Sequence, residues 1–131
     1  FQNMVATFQL SGANVIAALE NAVSEVEDGA GRFAQVAGIR YTWDAAAEPG
    51  SRVVSVEVET ADGFAAIDPE TVYGVATNNC VGGGGEGDSV FAVEGMNAYD
   101  FGPGLEQVVA DYMAGNTPYT PFVEGRITRL N

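Results

Sequence analysis

The side chains that could bind a ligand or react concentrate in one glycine-rich stretch, Tyr73–Asp88. It reads Y-G-V-A-T-N-N-C-V-G-G-G-G-E-G-D. It offers a thiol at Cys80 and carboxylates at Glu86 and Asp88 among closely spaced glycines. Glycine suits a backbone that must take positive φ angles or approach a ligand closely. The motif is weak by itself, so two alternatives remain: a flexible connector, and a cation site formed by the two carboxylates. For Cys80, a loop thiol is a simpler interpretation than a reactive nucleophile.

The residue types that the sequence lacks exclude several kinds of catalysis. It contains no His and one Cys. A Ser-His-Asp or Cys-His arrangement, a His-ligated metal and an internal disulfide are therefore excluded for this chain. Carboxylates could bind Ca²⁺, but no D-x-D-x-D-G spacing occurs. We expect this chain to carry no catalytic residue and no metal or cofactor of its own.

Charge and hydropathy exclude further partners. Eighteen acidic residues oppose five basic ones, all of them Arg, for a net charge of −13. Such a field repels nucleic-acid phosphates and anionic membranes, and no apolar run approaches the roughly 18 residues of a membrane span. We therefore expect neither nucleic-acid binding nor membrane insertion. The length fits one domain, and a start at Phe1 rather than Met suggests a piece of a longer precursor or a trimmed chain.

The elements that must position these groups follow from hydrophobic periodicity. Alternating or apolar runs predict strands at 4–10, 39–43, 52–59, from Tyr73 onward, 90–93 and 124–130. Helical spacing predicts helices at 13–26 and 105–113, with a single helical turn at 68–70 and an irregular segment at 95–104. The pattern indicates an α+β fold, with a mixed, mostly antiparallel sheet and two main helices.

Seven short segments, in this order, carry a family resemblance across nearly the whole chain. They are F-Q-N at 1–3, L-S-G-x-x-x-x-x-x-L-E at 10–20, G-x-F-x-Q-V-x-G-I-R at 31–40, P-G-S-R-V at 49–53, Y-x-V-A-T-N at 73–78, G-G-E-G at 84–87 and V-E-G-R-I at 123–127. Together they resemble the C-terminal domain of the 5′-nucleotidase family, the secreted or periplasmic nucleotide phosphohydrolases.

The resemblance implies that residues 1–131 are the substrate-binding half of a two-domain hydrolase, without some upstream part of this domain. In that family an N-terminal metallophosphatase domain holds two divalent metal ions and the catalytic residues. The C-terminal domain binds the nucleoside part of the substrate and presents its phosphate to the metals. A periplasmic or extracellular location follows from the same resemblance.

The resemblance also implies a set of substrate-binding residues. The family holds the base between two aromatic rings, of which the first falls on Phe1 and the second on Cys80. Asn3 matches a polar residue that contacts the substrate, and Glu86 replaces the Asp that grips the ribose hydroxyls. Two glycines let the backbone close around the ligand; these match Gly84 and Gly85.

Two of these positions depart from the family pattern. Cys80 cannot supply a base–aromatic stack, which is worth roughly 1–3 kcal/mol. Glu86 keeps the charge of Asp but extends the carboxylate by one methylene. The family's phosphate-side arginines lie upstream of Phe1, so we expect Arg32, Arg40 and Arg126 to be surface or ion-pair residues. Two alternatives to a nucleotidase follow: a degenerate binding module, or an enzyme for a substrate without a purine, such as a UDP-sugar or a thiosulfate-type adduct.

Overall fold

The computed structural model describes residues 1–131, which form two units. The first unit comprises Phe1–Leu10 and Tyr73–Val123, and the second comprises Ser11–Val72 and Glu124–Asn131. In chain order the strands are β1 (Val5–Ser11), β2 (Ile39–Asp44), β3 (Val53–Thr60), β4 (Gly63–Ala66), β5 (Val72–Asn78), β6 (Met96–Tyr99) and β7 (Ile127–Leu130). The α-helices are α1 (Gly12–Ala22), α2 (Asn79–Gly82), α3 (Ser89–Glu94) and α4 (Leu105–Gly115), with 3₁₀ turns at Val26–Asp28 and Gly85–Gly87.

The first unit is built on a three-stranded sheet in the order β5-β1-β6. Side chains of a strand alternate between its two faces, and β1 buries Ala6, Phe8 and Leu10 on one of them. The Phe8 ring lies 4.9 Å, centroid to centroid, from the ring of Phe91 in α3. The central strand and α3 thus form the packed support from which the glycine-rich stretch projects.

The second unit is a four-stranded sheet in the order β4-β3-β2-β7, covered by α1. Strands β2, β3 and β4 pair antiparallel, whereas β7 joins β2 in parallel. Its core holds Leu19 of α1, the C-cap residue Val23 and three residues of the sheet, Tyr41, Trp43 and Val56. Removal from water disfavours the charged phenolate, and burial therefore raises the pKa of Tyr41 to about 12.

Polar contacts fasten α1 to the start of β3 and give two of the sequence motifs a structural role. The Glu20 carboxylate accepts hydrogen bonds from the backbone N–H groups of Arg52 and Val53, at 2.9 and 2.8 Å. The buried Arg52 side chain donates to the carbonyl of Val23 and forms an ion pair with Glu27. The hydrogen bond from Arg52 lowers the pKa of the Glu27 carboxyl. The L-E and G-S-R-V segments therefore serve the fold.

Most long elements confirm the predictions made from periodicity, and the wrong predictions concern short elements. Strands β1, β2, β3, β5 and β7 and helices α1 and α4 lie where they were predicted, within a few residues. Helix α1 ends at Ala22 instead of 26, where the Ser24 hydroxyl donates to the carbonyl of Asn21 and Arg52 binds that of Val23. Side-chain hydrogen bonds of this kind compete with helical ones.

Four short segments were predicted wrongly. Residues 90–93 belong to helix α3 rather than to a strand, because an apolar run of four residues has no decisive period. The supposedly irregular segment 95–104 contains β6, and residues 68–70 form a turn without a helix. Strand β4 was not anticipated, and the strands form two sheets rather than one. None of the helices is both long and apolar enough to cross a membrane.

Candidate functional site

The first unit brings together two segments that the sequence separates by more than 70 residues. The backbone N–H of Met4 donates to Oδ1 of Asn79 at 2.9 Å, and the backbone N–H of Asn79 donates to the carbonyl of Met4 at 2.9 Å. Asn3 directly precedes Met4, with Phe1 two residues before Asn3, and Cys80 directly follows Asn79. The two parts of the expected substrate site are thus held beside each other by a reciprocal pair of hydrogen bonds.

The segment that carries Phe1 and Asn3 is also fixed to the start of α4. The backbone N–H of Leu105 donates to the carbonyl of Asn3 at 2.8 Å, and that of Val5 donates to the carbonyl of Pro103 at 2.9 Å. Asn3 is half-buried, whereas the Phe1 side chain is fully exposed. Phe1 therefore presents its ring to solvent from a backbone that is tied down two residues later.

An open, mostly apolar groove of about 810 Å³ runs beside this segment. Its lining combines the start of the chain with one side of α4: Phe1, Gln2, Asn3, Leu105, Glu106, Val109, Ala110 and Met113. Both expected substrate contacts of the N-terminal segment border this groove. An apolar surface with a few polar groups at its edge is typical of a small-molecule site.

The glycine-rich stretch forms ordered turns instead of a loose connector. The Asn78 side chain caps α2 by accepting from the N–H of Val81 at 2.9 Å. Gly84 has a φ of 100°, in the left-handed region. A Cβ at Gly85 would lie 2.7 Å from the carbonyl oxygen and 2.8 Å from Sγ of Cys80. The loop thus requires glycine for backbone torsion at one position and for close approach at the next.

Glu86 follows this tight turn in a conformation that is costly for its residue type. Its φ of 58° and ψ of 25° are left-handed, which costs an L-residue with a Cβ about 1–2 kcal/mol. Its side chain is exposed, and Asp88 nearby is buried. Strained backbone of this kind concentrates at ligand-binding sites. The loop therefore holds a carboxylate at the surface through a backbone shape that the fold must impose.

Cys80 lies exposed in the first turn of α2. At the position where the family resemblance calls for a second ring, the chain thus presents a small thiol-bearing side chain beside Gly85. The described residues 1–131 include no group of three or more His, Cys, Asp or Glu that could hold a metal ion. They do not fit a metal centre, and no catalytic step follows from them.

Three arginines that were expected outside the site form ion pairs with acidic residues. Arg32 pairs with Glu25 at 3.1 Å, and Arg126 pairs with Glu124 at 3.0 Å. Arg40 binds Glu57 through two hydrogen bonds, which raise the pKa of its guanidinium. All three belong to the second unit. Their charges are balanced locally, as expected for ion-pair residues.

Sequence reasoning overlooked the two asparagines that organise the loop. Asn78 caps α2, and Asn79 binds the N-terminal segment. Asn is among the preferred residues at a helix N-cap, so the pair ahead of the glycines was a usable signal for the cap. No local signal could have identified the contact of Asn79 with Met4, because that partner lies 75 residues away.

Comparison with known proteins identifies the family of this chain. Residues 1–93 match the family model described as "5′-nucleotidase, C-terminal domain". The chain belongs to this family. The predicted family and its α+β fold are therefore confirmed.

Three proteins illustrate the similarity. The trifunctional nucleotide phosphoesterase protein YfkN of Bacillus subtilis (strain 168) is 42% identical over 99% of this chain and 9% of its own length. The crystal structure of the 5′-nucleotidase precursor from Thermus thermophilus superimposes with a TM-score of 0.96, at 40% identity over 99% of this chain and 26% of that one. The Haemophilus influenzae NAD nucleotidase gives a TM-score of 0.81, at 26% identity over 100% of this chain and 25% of that one. The chain thus spans about a quarter or less of the length of these proteins.

Proposed function

We propose that this chain is the substrate-binding domain of a 5′-nucleotidase-type phosphohydrolase and holds the nucleoside part of a nucleoside phosphate. One observation carries the proposal: the reciprocal hydrogen bonds between Met4 and Asn79 place the segment of Phe1 and Asn3 beside the loop that contains Cys80 and Glu86. These are the two segments that family members of this kind need for a base and a ribose.

Each group in the site has a distinct task. The exposed Phe1 ring stacks on one face of the base, and Asn3 hydrogen-bonds to its polar edge. Gly84 and Gly85 let the loop approach the sugar, and the Glu86 carboxylate accepts hydrogen bonds from the ribose hydroxyls. With Cys80 in place of a second ring, the base is stacked on one side. We therefore expect weaker discrimination between purines and pyrimidines than in a site with two rings.

The hydrolytic step belongs to another part of the polypeptide. The similar proteins are about four or more times longer than this chain, which leaves room for a metallophosphatase domain with two divalent metal ions. Metal ions in such a domain would supply an activated water for hydrolysis of the phosphate monoester. This chain orients the nucleoside leaving group, and that domain is its partner. Export to the periplasm or the extracellular space is part of the proposal, and the description of the Thermus protein as a precursor supports it.

Calorimetric titration of the chain with adenosine, AMP, uridine and UDP-glucose tests the proposal. We expect saturable binding of nucleosides that weakens about 5- to 150-fold in Phe1→Ala, since one base–aromatic stack contributes roughly 1–3 kcal/mol. Glu86→Ala should weaken the same ligands by a comparable factor, because it removes hydrogen bonds to a charged acceptor.

Two matched controls come from the same unit. Phe122→Ala removes another exposed ring, and Glu94→Ala removes another exposed carboxylate. Both variants should bind as the unchanged chain does. If a well-folded chain binds none of the four compounds, the nucleoside site is refuted and the degenerate binding module or a different cargo is favoured.

A further inference from the structure

We propose that Asn79 is a positioning residue, whose side chain holds the base-stacking segment at a fixed place relative to the ribose-gripping loop. This inference rests on the proposed function and adds a residue to its site. Asn79 need not touch the ligand. It acts through Met4 on Phe1 and Asn3, and through its place at the start of α2 on Cys80 and the glycines.

The two hydrogen bonds between Asn79 and Met4 depend on the side chain in different ways. The bond from the backbone N–H of Asn79 to the carbonyl of Met4 survives any substitution except proline. The bond from the N–H of Met4 to Oδ1 requires an oxygen at this position of the side chain. Met4 is half-buried, so its N–H would be left without that partner in a shorter side chain. Loss of the Oδ1 bond leaves the two segments joined by one hydrogen bond, about which they can rotate.

The neighbouring asparagine provides a natural contrast. Asn78 makes the same kind of bond, from a backbone N–H to Oδ1, at the same length of 2.9 Å. Its partner is Val81, three residues away within the same turn. Asn78 therefore shapes the loop alone, whereas Asn79 joins the loop to the other half of the site. A comparison of the two separates local folding of the loop from positioning across the site.

The contacts of the N-terminal segment with α4 explain why the effect should be on position rather than on folding. The N–H of Leu105 binds the carbonyl of Asn3, and the N–H of Val5 binds the carbonyl of Pro103. These bonds keep the segment attached to the first unit when the Oδ1 bond is lost. What the chain then loses is the alignment of Phe1 with the loop, and a shift on the order of 1 Å strongly weakens a site that must engage two parts of one ligand.

The experiment compares Asn79→Ala, Asn79→Asp and Asn78→Ala in the 131-residue chain, with adenosine as the probe. NMR amide hydrogen exchange at Met4 reports directly on the hydrogen bond from Met4 to Asn79, and calorimetry reports the affinity. We expect Asn79→Ala to speed exchange at Met4 at least about 10-fold and to weaken adenosine about 10-fold. Asn79→Asp keeps an Oδ1 acceptor and should retain slow exchange and most of the affinity. Asn78→Ala should leave exchange at Met4 unchanged.

A second measurement distinguishes positioning from a general loss of structure. In the unchanged chain, Phe1→Ala and Glu86→Ala should show coupled effects on adenosine affinity, because the two groups hold one ligand in register. In the Asn79→Ala background the same two substitutions should become additive. Trp43 fluorescence should be unaltered throughout, as it reports the core of the second unit.

The outcomes separate the inference from the function on which it rests. If the unchanged chain binds adenosine and Asn79→Ala binds it equally well, the positioning role is overturned while the nucleoside site stands. The same holds if Asn79→Asp is as impaired as Asn79→Ala. If the unchanged chain binds no nucleoside at all, both the proposed function and the role of Asn79 are overturned.

Discussion

At the scale of single residues, the site is marked by a conflict between residue type and backbone conformation. Glu86 takes left-handed torsion angles that glycine adopts without strain, although glycines surround it on both sides. A chain that needed only a turn at this point would be more stable with another glycine. Left-handed torsion angles at a charged residue agree with a role of Glu86 in ligand binding.

Replacing Glu86 by glycine should leave stability unchanged or raise it slightly, and it should weaken adenosine binding. Relief of left-handed strain is worth about 1–2 kcal/mol, and the added backbone entropy of glycine costs about 0.5–1 kcal/mol. We therefore expect urea denaturation to give a free energy of unfolding that is unchanged or up to about 1.5 kcal/mol higher. Calorimetry should show adenosine binding weakened about 10- to 100-fold, as for a lost charged hydrogen bond.

Glu86→Gln provides the control for this substitution, because it keeps the strain and the shape while it removes the charge. It should leave stability unchanged and weaken binding less than glycine does. A glycine variant that binds adenosine as tightly as the unchanged chain would show that Glu86 is not a ligand contact. A variant that is markedly less stable would show that its side chain supports the loop instead.

Single residues also show where prediction from sequence reaches its limit. The glycine requirement at Gly84 and Gly85 follows from composition, because only glycine combines positive φ with close packing. The role of Asn79 does not follow from any local pattern, since its partner becomes a neighbour only through the fold. The substrate contacts expected at Phe1 and Glu86 stay predictions until the titrations are made.

At the scale of elements, length decided what periodicity could reveal. Helix α1 and strand β3 are long enough for several repeats of their apolar pattern, and both were identified from sequence. Helix α3 and strand β6 have six and four residues, and both were misassigned. Even within β3 the pairing register skips Val54, which is 57% exposed although regular alternation would place it on the same face as buried Val56. Such a bulge leaves no clear trace in the sequence.

Glu20 should be the strongest single link between α1 and the sheet of the second unit. Its carboxylate satisfies the N–H groups of both Arg52 and Val53, and Glu20→Ala would leave these partly buried donors without it. Each loss should cost about 1–3 kcal/mol, so we expect a total of about 2–6 kcal/mol. Urea denaturation followed by Trp43 fluorescence measures this, because the single tryptophan lies in the affected core.

Glu25→Ala is the matched control for the Glu20 prediction. It removes an acidic side chain shortly after the same helix. Glu25 forms an ion pair with Arg32, and its side chain is 45% exposed. An exposed pair of this type contributes at most about 1 kcal/mol. Equal losses in the two variants would contradict the assignment of Glu20 as a structural acceptor.

At the scale of the whole molecule, excess negative charge opposes the compact state. Eighteen acidic residues face five arginines, and four ion pairs involve Arg32, Arg40, Arg52 and Arg126. Salt weakens these pairs, but exposed ones contribute about 0–1 kcal/mol each. Salt also screens the repulsion among the remaining carboxylates, which acts over longer distances and involves more groups. We therefore infer that screening of repulsion outweighs the loss of attraction.

Moderate salt should accordingly stabilise the chain. Raising NaCl from about 0.01 M to about 0.15 M shortens the Debye length from about 30 Å to about 8 Å. If this screening raises the free energy of unfolding by about 1 kcal/mol, the Tm measured by calorimetry rises by about 3–6 °C. A variant with four exposed carboxylates converted to amides, at Glu48, Glu59, Asp62 and Glu70, changes the net charge from −13 to −9 and should respond less. An equal rise in both proteins would indicate a general salt effect, and a fall in Tm would mean that the ion pairs dominate.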